Sequence, residues 1–312
     1  MFATLNLYPR AQKFLESQGL PTTDNDGLQE SEHRFVDGAS YRIEVPTVNS
    51  AGAMKQLFAV ADKQGFVVNR ASITYGIMRY NDDEIRDILK LAKDNGVEIF
   101  MMVGPRAPLD IGVQAHLNTL NAHHIGYRVR GTEQLAFALE DVYRAVDLGC
   151  RGFIACDEGV LVMIDAMRKS GEIPANVKIK ASVLLGTANA AHYRVLENLG
   201  ADSINVQRDL PLALLGGFRR GSTLPIDIHA NNPGQTGGFV RTFEVPAMIK
   251  ATAPIYVKTG NIAVPLHSMM VDDSAGAAMA REVGITVDTI RKYLPDAVQT
   301  SKGHDSLAVP EI

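Results

Sequence analysis

The chain has 312 residues, of which 46% are hydrophobic and 21% charged, and a formal net charge of −4. That composition belongs to a globular protein and excludes a wholly disordered or fibrous chain. The slight acidity argues against the broad basic face that nucleic-acid binding needs. Two cysteines, Cys150 and Cys156, are too few for a disulfide framework, a four-cysteine zinc site or an all-cysteine iron–sulfur cluster. No apolar run approaches the ~18 residues of a membrane span, and the opening MFATLNLYPR lacks the apolar core of a signal peptide. A cytoplasmic protein without nucleic-acid or membrane partners is expected.

Residues 8–20 read as a short helix, and 21–39 as a polar lead-in loop. Beyond that, short β-branched runs alternate with helical periodicity. Strands are predicted over 41–46, 72–76, 97–104, 152–156, 179–183, 203–207, 226–230 and 255–260. Helices are predicted over 50–65, 82–96, 132–149, 160–171, 187–200, 210–221 and 245–251, all but the last ending in Gly, a common helix stop. A final helix is expected over 274–293. This many βα units in about 250 residues match an α/β (β/α)8 TIM barrel, with a doubly wound sheet as the structural alternative. The expected organisation is an N-terminal extension (1–40), the barrel (41–294) and a polar tail (295–312) that is disordered or packs on a partner.

Alternation along each strand separates residues facing the helices from residues facing the barrel axis. The apolar set Ile43, Val45, Ile73, Tyr75, Ile179, Ala181 and Val183 should face outward. That leaves Arg42, Glu44, Ser72, Thr74, Lys180, Ser182, Ser203, Asn205, Gln207, Asp227, His229, Tyr256 and Lys258 inward. Barrel interiors are usually filled with branched apolar side chains. Burying an unpaired charge is costly, so the inward charges form either a neutralising ion network or a site at the C-terminal mouth.

His229 shares a face with Asp227, an arrangement that suits a general base or a metal ligand as well as a satisfied core histidine. The loop NNPGQTGGF (231–239) could bring backbone amides to an anion. Lys258 could form a Schiff base, bind an anion or sit in an ion pair. Asp157 and Glu158 either ligate a divalent metal or cap the next helix. Arg106, Arg208 and Arg130 hint at a carboxylate or phosphate substrate, with helix-end salt bridges as the alternative. His267 either closes the site or lies on the surface. His123 and His124 receive no role, and Cys156 is read as a small buried hydrophobe.

The segment KASVLLGTANAAHYRVLENLGADSINVQRDLPLALL (180–215) resembles the collagenase-like U32-type peptidase family. There a strand precedes an Asn-containing segment, a helix ending in Gly, and a strand leading to Arg-Glu-Leu. Asn189, Gly200 and Arg208-Asp209-Leu210 occupy those places here. His229-Ala230 is similar to the family's His-Gly step, and EVPTVNSAGAMKQLFAVA (44–61) to its opening turn and first helix. Many members carry cysteines for an iron–sulfur cluster just after that His. Here the positions read NNPGQTGGF, so no cluster is expected.

The resemblance and the inward polar face together imply an enzyme acting on a small anionic substrate at the C-terminal mouth. Hydrolysis is the first expectation. His229, oriented by Asp227, would be base or ligand, and Glu44 a second carboxylate. Lys180, Lys258, Arg208 and Arg106 would hold the substrate's charge, and Asn205 would hydrogen-bond it. A divalent metal, if used, would sit on Glu44, Asp227 and His229. No nucleotide cofactor is evident. A lyase or aldolase with a Schiff base on Lys258 or Lys180 is the alternative enzyme, and a non-catalytic accessory protein docking through its lead-in or tail is the alternative from another class. A homodimer is the expected assembly.

Overall fold

The computed structural model of the chain describes residues 8–24, 27–104, 126–265 and 269–312; Arg106, His123, His124 and His267 lie outside them. Eight parallel strands follow one another around a closed barrel. They are β1 (Tyr41–Pro46), β2 (Arg70–Ile73), β3 (Glu98–Met102), β4 (Gly152–Ala155), β5 (Lys178–Ala181), β6 (Ser203–Asn205), β7 (Ile226–His229) and β8 (Ile255–Lys258). β8 pairs back onto β1, with Tyr41 beside Ile255 and Glu44 beside Lys258. That closure is the (β/α)8 barrel and removes the doubly wound alternative.

Among the described residues, α1 (Pro9–Ser17) precedes the barrel. α2 (Ala51–Gln64), α3 (Asp82–Asp94), α4 (Gly131–Asp147), α5 (Glu158–Ser170), α6 (Ala190–Asn198), α7 (Leu212–Gly221), α8 (Val245–Thr252) and α9 (Asp273–Tyr293) belong to the barrel layer. The outward strand residues Ile43, Val45, Ile73, Ile99, Phe153, Ile179, Ile204 and Ile255 are wholly buried in one apolar core with the inner faces of these helices. Local chemistry sets the helix starts. Ser50 accepts from the Ala53 amide, Asn81 and Glu84 form a reciprocal capping box, and Asn189 and Asp272 cap α6 and α9. Asp157 caps α5 through the Gly159 and Val160 amides, while Glu158 pairs with Arg128, so these two acids serve the helix end.

α9 returns against α2, and the approach is close. A Cβ on Gly276 would stand 1.9 Å from the Ala53 carbonyl oxygen. Both are helix backbones and neither can yield cheaply. Gly276→Ala is expected to cost about 1–3 kcal/mol, the usual penalty of overpacking, read as a lower urea midpoint.

The tail is the main departure from expectation. Residues 295–312 are ordered against the barrel and close its N-terminal end. Arg42, inward near the start of β1, donates to Thr300 Oγ1 (2.9 Å), Tyr256 Oη (2.8 Å) and Ser306 Oγ (2.5 Å). The Ala308 amide donates to Glu98 Oε2 at 2.9 Å. Asn69 donates to the Thr300 carbonyl, and Gln299 donates to Asn69 Oδ1. The physical reason is plain. Two inward charges at this end, Arg42 and Glu98, need polar partners, and the tail's hydroxyls and amides supply them. The lead-in contributes Phe35, whose ring lies 4.0 Å from the Arg42 guanidinium carbon and edge-on to Tyr256.

Candidate active site in the barrel interior

The interior is divided. β3 and β4 fill one side with Phe100, Met102 and Ile154, which cluster with Cys156 and Ala308. Charged side chains from β1, β2, β3, β5, β7 and β8 meet at the axis, Glu44, Lys180, Asp227 and Lys258 on the faces the alternation predicts. Glu44 is the hub: its Oε1 accepts from Ser72 Oγ (2.7 Å), Lys180 Nζ (2.5 Å) and Lys258 Nζ (3.0 Å), and its Oε2 accepts from Lys180 (2.6 Å) and Arg70 (3.4 Å). Burial opposes the charge of Glu44, but Lys180, Lys258 and Arg70 outweigh it and hold the carboxyl well below its ordinary range. Lys180 also reaches Asp227 Oδ2 at 2.8 Å, and Arg70 reaches the same oxygen at 3.2 Å.

Arg70 and Glu98 belong to this network and were absent from the expected inward set. Arg70 Nε donates to Glu98 Oε1 at 2.7 Å. Its guanidinium is sandwiched between the rings of Phe100 (3.9 Å) and Tyr256 (3.5 Å). Strand pairing begins at Arg70 rather than at Ser72, because Arg70 is in register with both Glu44 and Glu98. Arg70 has the parity of Ser72, so extending the predicted strand by two residues would have found it.

These contacts reassign several expected roles. Glu44 has both carboxylate oxygens facing cations. Lys180 is 1% exposed and clamped between two carboxylates, so it orders the interior. Asp227 faces Lys180 and Arg70, not His229. Among the described residues no three His, Cys, Asp or Glu side chains gather as a metal site needs. A divalent cation at Glu44 and Asp227 would also meet three cationic side chains, so this residue set does not fit a metal.

Lys258 stands apart. It ends β8, on the C-terminal side where barrel sites form. Of the three cations in the network its side chain is the most open, at 7% against 1% for Lys180 and 3% for Arg70. Its ion-pair contact among the described residues is Glu44 Oε1 alone, and it shares that oxygen with Lys180. Burial pushes its ammonium down to about 7, with Lys180 adding to the effect and Glu44 resisting it.

His229 is beside Lys258 in the strand register. Its Nδ1 lies 3.4 Å from Asn205 Nδ2, and Asn205 Nδ2 also donates to the Asp227 carbonyl at 3.0 Å. A carbonyl oxygen only accepts, so the amide end facing His229 is the NH2. That NH2 also meets the Val206 carbonyl at 3.3 Å, so its two hydrogens are shared among three acceptors, of which His229 Nδ1 is the most distant. Asn205 on β6 and His229 on β7 thus sit side by side in the barrel interior.

Arg208 follows β6. Burial pulls its guanidinium down to about 10, only partly countered by Tyr127 and Asp209. Its Nε is buried without a hydrogen-bond partner, and Arg241 braces its backbone carbonyl. Arg130 stands before α4 with its amide bonded to Gln134, away from the charge network. Thr47, directly after β1, is fully buried and holds φ 69°. It is the one described non-glycine residue in the left-handed region, a costly conformation for a β-branched side chain of the kind that gathers at functional sites.

No family model matches the chain, and no curated protein matches it. Among solved structures it is similar to the U32 peptidase Mk0906, at 16% identity over 66% of this chain and 73% of that one, with a TM-score of 0.41. It is also similar to the YdjI aldolase from Escherichia coli K12, at 13% identity over 82% and 93%, with a TM-score of 0.48. The native KDPGal structure matches at 11% identity over 84% and 99%, with a TM-score of 0.50. No described helix is long and apolar enough to cross a membrane. Likeness at this level of identity shows the architecture and no narrower kinship: the chain is a TIM barrel.

Proposed function

We propose that the protein is an enzyme of the lyase or aldolase type, forming a Schiff base between Lys258 and a small anionic carbonyl compound. The observation that carries this reading is the placement of the Lys258 amine: at the mouth end of β8, with one carboxylate contact, beside a second lysine. A neighbouring cation and a desolvated setting keep a lysine uncharged and nucleophilic near neutral pH. The neutral amine attacks the carbonyl carbon, and a proton moves from nitrogen to oxygen to give a carbinolamine. The carbinolamine hydroxyl then takes up a proton delivered by solvent, and His229 stands beside Lys258 in the strand register. Water leaves and the C=N bond forms, giving an iminium that can accept the electron pair of a breaking C–C bond. Arg208 would hold the substrate's anionic group.

Borohydride with pyruvate or dihydroxyacetone phosphate, as separate probes, tests this. The expected product is an adduct on the peptide containing Lys258, of the probe's mass less one oxygen, absent from Lys258→Met. The trapping rate should rise with pH through about 7, because the amine loses its proton there. No adduct with either probe, or an adduct confined to another lysine, sinks the reading. A U32-like hydrolase is the second reading, supported by the resemblance over 180–230 and by the suitability of a near-neutral Lys258 as a general base. It gains ground if peptide turnover is found without an adduct.

A further inference from the structure

Two loops at the C-terminal mouth are tied together by amide side chains, and the tie leaves one acceptor unused. Asn232, after β7, donates from Nδ2 to the Thr236 carbonyl at 3.3 Å, which fixes its Oδ1 as an acceptor. Asn261, three residues beyond Lys258, donates its Nδ2 to that oxygen at 3.0 Å. The orientation of Asn261 is thereby set, and its Oδ1 is buried with no hydrogen-bond partner. Both asparagines have no exposed surface. An orphaned buried amide oxygen is costly to maintain unless a ligand donates to it. Two further orphans follow neighbouring strands: the Thr187 hydroxyl after β5, fully buried, and Arg208 Nε after β6. The Gln207 amide donates to the Thr187 carbonyl, so these two loops are adjacent.

We infer that this mouth binds a hydroxylated carboxylic acid, its carboxylate on Arg208 and a hydroxyl group donating to Asn261. Arg208 has no salt-bridge partner among the described residues, and one guanidinium balances one negative charge, which favours a carboxylate over a phosphate dianion. Asn261 offers a neutral oxygen, which suits a hydroxyl. A buried ammonium would need an ionic partner, which the neutral Asn261 amide is not. Thr187 can both donate and accept, as a second hydroxyl group requires. The inference rests on this mouth being the substrate site and does not depend on the lysine chemistry.

Calorimetric titration of the full chain with gluconate, hexanoate and 6-aminohexanoate tests it, because the three share length and carboxylate and form no covalent bond. Gluconate should bind about tenfold or more tighter than hexanoate, the scale of one satisfied buried group. Asn261→Leu should bring the ratio close to one, while Asn261→Asp, which keeps an acceptor in the same shape, should keep gluconate ahead. Arg208→Gln should weaken both acids. Equal binding of gluconate and hexanoate, tightest binding of 6-aminohexanoate, or no binding of any of them overturns the inference. A gluconate preference without a borohydride adduct removes the Schiff base alone; an adduct without the preference removes this inference alone.

Discussion

Replacement of Arg70 by methionine is expected to destabilise the barrel by about 3–5 kcal/mol at pH 7, the usual consequence of breaking a buried ion network from one side. Arg70 contacts Glu44, Glu98 and Asp227 at once. Glu44 keeps two lysines without it, and Asp227 keeps Lys180. Glu98 keeps only the Ala308 amide among its described partners, so it becomes a buried carboxylate with no counter-ion. Protonating a buried carboxylate that lacks a counter-ion relieves its desolvation cost. A group with a raised folded pKa costs nothing below its unfolded pKa and loses stability as pH climbs through the folded one. The deficit of Arg70→Met should therefore shrink as urea titrations are taken from pH 7 towards pH 4. Arg70→Lys should recover only part of the loss. One ammonium cannot reach three carboxylates while also stacking between two rings, as the planar guanidinium does. A loss below about 1 kcal/mol, or one independent of pH, would mean that water or local rearrangement neutralises Glu98.

Much of this architecture was legible from alternation alone. Strand-by-strand parity placed Glu44, Lys180, Asp227 and Lys258 on the axis, and the interior contacts agree. What one strand's pattern cannot state is which inward charge meets which, because that depends on neighbours around the ring. Asp227 and His229 illustrate the limit. Two residues along a strand are about 6.6 Å apart, whereas a neighbouring strand is about 4.8 Å away. Asn205 on β6 is accordingly a neighbour of the His229 ring. Arg70 was hidden by a boundary set at the first residue of an apolar alternation. Glu98 was hidden because VEIFMMVG reads as a continuous buried run. The lone oxygen of Asn261 is invisible in sequence, since it exists only once Thr236 and Asn232 have fixed the amide's orientation.

The tail was misread for a different reason. A polar, turn-rich segment has the same composition whether it floats in solvent or satisfies buried charges. Removal of residues 298–312 separates these roles, and the expected result is loss of a stable fold. Arg42 would lose Thr300 and Ser306, keeping only Tyr256 of its hydrogen-bond partners. Glu98 would lose its amide donor, Asn69 would lose Thr300 and Gln299, and the apolar contacts of the buried Leu307 and Ala308 would go. Each orphaned polar group costs about 1–3 kcal/mol, more when charged. Several together approach the 5–15 kcal/mol that a whole domain usually holds. Because the truncated chain is expected to be insoluble, the graded variant is Thr300→Val with Ser306→Ala. It should fold and lose about 2–4 kcal/mol, since both changes strand the same buried guanidinium. Arg42→Met added to that pair should return much of the loss, because the group left without partners is then gone. A truncated chain that unfolds at the wild-type midpoint would instead make the tail dispensable to the barrel and free to serve a partner.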